Sequence, residues 1–180
     1  MDLEESDNCR NDTYDNAEFV KETVTSLLEF TNIKCKSHDK QFTDFEYCYL
    51  RSVNRSYKYM SVKARLFQIP VTNVTIRYTF LRRDDGYTPF LSNFTVDACE
   101  FLRSPKDPIA KFFYGLIVQH SNMNHTCPYN HDVFIDKLDT SFLSGKFKGL
   151  PIPNDAFILK STWFAYNIPR ADVNVYVKIN

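Results

Sequence analysis

The chain has 180 residues, 43% of them apolar and 24% charged, which suffices for one packed domain and argues against wholesale disorder. Its 22 basic residues equal its 22 acidic ones, so net charge gives no reason to expect a nucleic-acid partner. The four glycines, Gly86, Gly115, Gly145 and Gly149, lie too far apart for a dinucleotide or phosphate loop, and no apolar run approaches the ~18 residues of a membrane span.

Residues 1–29 hold nine acids and two bases, a net of −7, and the rest of the chain carries the balancing +7. The division predicted is an acidic segment over 1–28, largely disordered, and one folded domain over 29–180. Within the first, Phe19, Val20, Val24, Leu27 and Leu28 fall on one face of a helix over 17–28. The bases beyond it are scattered, as on an ordinary solvated surface.

From residue 30 to 98 apolar and polar residues alternate with the period of a half-buried strand. Phe30–Lys36 reads as the first strand, with Ile33 and Cys35 on one side. Thr43–Val53 reads as the second, with Cys48 and Leu50 opposite Phe45, Tyr47 and Tyr49. Tyr57–Ile69 is the third, with Met60, Val62, Ala64 and Leu66 inward and Pro70 ending it. Asn73–Arg82 is the fourth, with Val74, Ile76, Tyr78 and Phe80 inward. Asp85-Gly86 signals a tight hairpin into a fifth strand, Thr88–Ala98, with Phe90, Phe94 and Val96 inward.

The period then changes to that of a helix. Pro108–His120 places Ile109, Phe112, Phe113, Leu116, Ile117 and His120 on one face, and Pro108 suits a first helical turn. Ser144–Pro153 reads as a turn-rich connection, and strands resume over Asp155–Asn167 and Asp172–Ile179. About seven strands with one helix predict a mainly β, two-sheet, immunoglobulin-like antiparallel sandwich.

Five Asn-x-Ser/Thr acceptors occur, at Asn11, Asn54, Asn73, Asn93 and Asn124, where chance alone gives about two. The parity of the strands puts Asn73 and Asn93 on outer faces, where a sugar has to sit. Cys35, Cys48, Cys99 and Cys127 lie in the folded part and Cys9 outside it. Four cysteines allow three pairings, of which Cys35–Cys48 with Cys99–Cys127 closes the shortest local loops. Acceptors and disulfides together predict a secreted glycoprotein, although residues 1–30 lack the basic start and apolar core of an export signal.

Catalysis finds little footing. No nucleophile-elbow, zinc-protease or Ser-x-x-Lys pattern occurs. His120, His125, Cys127 and His131 lie within 12 residues but match no common zinc spacing, and Cys127 has Cys99 as a partner, so no metal is expected. Asp84-Asp85 precedes Gly86 where a tight turn favours Asp. No enzyme activity and no cofactor are therefore expected.

The runs FTNIKCKSHD (Phe30–Asp39), NFTVDACEFL (Asn93–Leu102), SNMNHTCPYNHDVFIDKL (Ser121–Leu138) and WFAYNIPR (Trp163–Arg170) resemble a large insect family of unknown function, expanded in flies. That family is distantly similar to the ML lipid-recognition domains. The resemblance covers about residues 30–180 and includes all four domain cysteines. It implies a two-sheet sandwich and a lipid held between the sheets, and some relatives are implicated in chemosensation. The ML pattern ties its first strand to its last by a third disulfide, for which no cysteine follows Cys127 here.

Two functions follow as expectations. The first is a secreted, monomeric, non-enzymatic binder of a small hydrophobic molecule, with a cell-surface receptor as a further partner. Its pocket would be lined by Met60, Val62, Leu66, Ile76, Tyr78, Phe80, Phe90, Phe94, Phe112, Phe113 and Trp163, with the 108–120 helix as a lid. The same residues would equally fill a solid core. The second function is then a glycosylated interaction module using an outward patch of Tyr47, Tyr49, Tyr57 and Tyr59.

Overall fold

The computed structural model describes residues 27–84 and 86–180. The helix expected over 17–28 lies outside them except for Leu27 and Leu28, and Leu28 opens the first strand.

Strands β1 (Leu28–Ser37), β2 (Thr43–Ser52), β3 (Lys58–Leu66) and β4 (Val74–Asp84) form where the alternation placed them. β5 (Gly86–Pro89) folds back on β4 from Asp84↔Gly86 to Leu81↔Pro89. Gly86 takes φ +145°, a conformation that side-chain-bearing residues rarely adopt.

The strand expected over Thr88–Ala98 is two strands and the start of a helix. Pro89 has no N–H for the ladder, and the amides of Phe90 and Leu91 both donate to the Phe80 carbonyl (2.8 and 3.3 Å), which turns the chain out. It returns as β6 (Phe94–Asp97), paired with the other end of β4. Helix α1 (Ala98–Arg103) follows, capped by Asp97, whose carboxylate accepts from the Glu100 amide at 2.9 Å. Helix α2 (Pro108–Ile117) matches the period change, and one tighter turn extends it to His120.

Beyond it come β7 (Val133–Asp139), α3 (Thr140–Phe147), β8 (Ala156–Ala165) and β9 (Ile168–Ile179). The described residues thus form nine strands and three α-helices against the seven and one expected. The connection expected over Ser144–Pro153 is helical through Phe147, because Asp139 caps α3 by accepting from the Phe142 amide at 2.9 Å.

The strands make two antiparallel sheets, as the alternation predicted. One has the order β1-β9-β8-β4-β5, with β6 also on β4, and the other has the order β2-β3-β7. Residues directly opposite each other share a face, so the large sheet presents inward rows that run across its strands. Phe30, Val177 and Phe157 form one row, and Ile33, Val175, Leu159 and Phe80 the next. Cys35, Val173, Ser161, Tyr78 and Phe94 form a third, and Ala171, Trp163, Ile76 and Val96 a fourth. The small sheet answers with Leu50, Met60 and Leu138, then with Cys48, Val62 and Ile135.

Burial divides this core in two. One cluster gathers Leu28, Phe30, Phe80, Phe157, Val177 and Ile179 with Met60, Leu138, Phe113, Leu116 and Leu143. The other, at the opposite end, is Phe42, Val71, Tyr129 and Ala165 with Leu66, Val74 and Met123 against them. Phe30 and Phe157 are each 1% exposed, and burying one such ring stabilises by roughly 1.5–3 kcal/mol.

Candidate functional site

The space of interest lies between the two clusters, where the third and fourth rows of the large sheet face the small sheet. Tyr78, Trp163 and Val173 belong to neither cluster and are only half-buried, although they point inward. Leu159, Val175 and Ile135 border the first cluster and keep accessible surface as well. Along this belt the side chains are packed less completely than their row neighbours Ser161, Ile76 and Ala171, which are buried.

Different structures close its two sides. At the β1–β2 edge the Cys35–Cys48 disulfide joins one sheet to the other, and the second disulfide is Cys99–Cys127, both as the short-loop pairing predicted. A cleft of about 590 Å³ opens beside Cys35 and Cys48, lined by Ile33 from the inner rows and rimmed by Lys34, Lys36, Asp172 and Asn174. At the far side α2 wedges aromatic rings in. Phe113 stacks on Tyr78 (centroids 5.3 Å apart, planes 18° from parallel) and packs on Phe94 (5.1 Å), while Phe112 meets Phe147 of α3 edge-on at 5.5 Å.

Polar groups in the belt are few. Ser161 donates to the Val173 carbonyl at 2.8 Å and accepts from the Trp163 indole N–H at 3.0 Å, so both are satisfied internally. Arg82, on the inward row of β4, is paired with Asp155 at 2.7 Å. That guanidinium, with the Ala156 amide, holds the Asp155 carboxyl below the usual carboxylate range. Tyr78 lies deep in the molecule, and burial alone pushes its hydroxyl above the ordinary tyrosine range.

The residues expected to line a pocket divide accordingly. Tyr78, Phe94, Phe112 and Phe113 come together on the α2 side, and Phe80 and Phe90 form a separate aromatic group with Phe157. Met60 sits in the first cluster, and Leu66 packs at the opposite end, away from the others. Val62 and Ile76 are buried at 6% and 7%, and Trp163 faces the belt. Leu159, Val173, Val175 and Ile135 complete it. The first three lie in the alternating strands read from the sequence, whereas Ile135 belongs to a strand that reading lacked.

The histidines do not assemble around Cys127. His120 Nδ1 lies 3.3 Å from the Asp136 carbonyl, His125 and His131 pair through their Nε2 atoms at 2.7 Å, and Cys127 is in a disulfide. Among the described residues no three His, Cys, Asp or Glu side chains are grouped to hold a metal. Of the acceptors, Asn54, Asn93 and Asn124 are exposed, and Asn73 is half-buried with its Oδ1 buried and unbonded. The outward tyrosines form a row, Tyr47–Tyr49 at 5.7 Å, Tyr49–Tyr59 at 6.5 Å and Tyr57–Tyr59 at 6.2 Å. Tyr59, in contact with Tyr49 and Tyr57, is only 7% exposed.

Residues 76–159 match the model of a family described as a protein of unknown function (DUF1091), in line with the resemblance drawn from the cysteine-bearing runs. No curated protein matches the chain. Among solved structures, a Niemann-Pick type C2 protein from Japanese carpenter ant is similar at 14% identity and a TM-score of 0.40, covering 81% of this chain and 98% of that one.

Proposed function

We propose that the protein is a non-enzymatic binder of a small hydrophobic molecule, held between its two sheets in the belt around Tyr78, Trp163, Val173 and Leu159. One observation carries this reading: inward-facing apolar side chains between two well-buried clusters keep accessible surface. An apolar guest of modest size gains by covering them, at roughly 25 cal/mol per Å². The cleft beside Cys35–Cys48 offers the way in, since Ile33 connects it to the inner rows. Secretion, glycosylation at Asn54, Asn93 and Asn124, and delivery of the ligand to a cell-surface receptor in chemosensing belong to the same proposal. The two disulfides support an oxidising compartment.

The test is to secrete the full chain behind an export signal from insect cells and compare native with denaturing mass spectra. A lipid-sized mass that leaves on denaturation is the expected result. A bare protein mass that takes up nothing from a lipid extract overturns the reading.

The exposed outer aromatics favour a second reading, an extracellular interaction module. Tyr49 is 40% exposed and Phe134 36%, both on the outer face of the small sheet. Under this reading Tyr49→Ala weakens attachment to cells and leaves ligand uptake unchanged.

A further inference from the structure

The third inward row of the large sheet sets two hydroxyls side by side, Ser161 on β8 and Tyr78 on β4, directly opposite in register. Their circumstances differ. Ser161 has both its hydrogen bonds, to Val173 and from Trp163. Among the described residues the Tyr78 hydroxyl has none, and no charged group perturbs it. It is not sealed off either. The side chain is deep in the fold yet partly accessible, and it stands on the inward row of β4.

Its position is fixed in advance. The ring packs in a triangle with Phe94 (5.0 Å, 23° from parallel) and Phe113 (5.3 Å, 18°), which are 5.1 Å from each other, and these contacts hold it in place. A guest that covers this hydroxyl takes away its water, and a guest that offers an acceptor replaces that bond. We propose that Tyr78 is the polar anchor of the between-sheet site, selecting hydrophobic molecules that carry a neutral oxygen (alcohols, ketones or esters) over hydrocarbons and ionised fatty acids. This inference rests on the binding function proposed above.

The selectivity has two parts. A hydrocarbon covers the apolar belt but leaves the hydroxyl unpaired. An ionised carboxylate could accept its hydrogen bond, but beside Tyr78 it would lose its hydration, with Lys34 and Lys36 left at the rim of the cleft. Arg82, the cation on the inward row of β4, is already committed to Asp155. A neutral oxygen accepts from Tyr78 with no charge to desolvate, and one such bond in a dry site is worth about tenfold in affinity.

The experiment measures binding of decane, 1-decanol, 2-decanone and decanoate at neutral pH to the full chain and to Tyr78→Phe, which keeps the ring and its stacking. The expected result is that the wild type prefers decanol and decanone to decane and decanoate by about tenfold, and that Tyr78→Phe erases the preference over decane. If all four bind with affinities within about twofold, or the preference survives in Tyr78→Phe, the anchor is wrong while the between-sheet site stands. If none binds, the site itself is refuted and the anchor with it. Should Tyr78→Phe fail to fold, the wild-type ranking alone still decides, because the absence of a preference overturns the proposal.

Discussion

Tyr78 of β4 stacks on Phe113 of α2 with ring centroids 5.3 Å apart, and this contact joins the large sheet to the helix that closes its open side. Phe113 also touches Phe94 and Phe112, and it is 8% exposed. Phe113→Ala therefore removes the shared ring of an aromatic group and leaves a cavity on the α2 side. The expected loss is about 3–5 kcal/mol of unfolding free energy, read from urea denaturation. A loss below about 1 kcal/mol would show that α2 contributes little to closing the sandwich.

At the opposite edge the Cys35–Cys48 bond links residues 13 apart in sequence and ties the two sheets together. In the chain-entropy account a loop of that length contributes about 3 kcal/mol through the unfolded state. Cys35→Ala with Cys48→Ala should lower stability by that order. A thiol assay on the denatured, unreduced chain should find one free thiol among its five cysteines, since Cys35, Cys48, Cys99 and Cys127 are paired. Two or more free thiols would contradict the pairing.

The strands of the first hundred residues were legible because each has one wet and one dry face, which prints period 2 on the sequence. Both disulfides were legible because each closes a short loop. What escaped was local punctuation. Asp97 with Glu100, and Asp139 ahead of Phe142, are capping signals that start α1 and α3, but each sits at the end of a strand, where the strand period masks it. β7 was missed although VFIDKLD alternates over its first residues; Lys137, at φ 48°, breaks the parity and brings Leu138 inward. The site was half legible. Alternation marked which residues face in, and no pattern of residue types could tell that Leu66 packs at one end of the sandwich while Tyr78 stands outside both core clusters.

Asp107 caps α2 with a single carboxylate oxygen that accepts from the amides of Ile109 (2.8 Å) and Ala110 (2.9 Å). Asp107→Ala leaves those donors without a side-chain partner and should cost about 1 kcal/mol. The loss should concentrate in α2: hydrogen exchange at its first turn should speed up while β8 and β9 keep their protection. Uniform acceleration across the domain would mean that α2 does not open separately.

Tyr129 gives the fold a limit in alkali. It belongs to the second core cluster, stacks on His125 at 4.4 Å and donates its hydroxyl to the His125 carbonyl at 2.7 Å. Burial first, and then the neighbouring Tyr114, push its ionisation up to about 12, against about 10 for a tyrosine in the unfolded chain. The folded state therefore holds this proton more tightly than the unfolded state does. Its contribution is complete below about pH 10 and is lost as the pH rises through about 12. Tyr78, shifted in the same direction, adds to the loss. Urea midpoints should hold level from about pH 8 to 9 and fall between about pH 10 and 12. Tyr129→Phe is expected to be less stable at neutral pH, having lost a hydrogen bond, yet its stability should fall less steeply over the alkaline range. Equal slopes in the two proteins would remove Tyr129 from the account and leave the other phenols that burial shifts upward, Tyr78, Tyr114 and Tyr47.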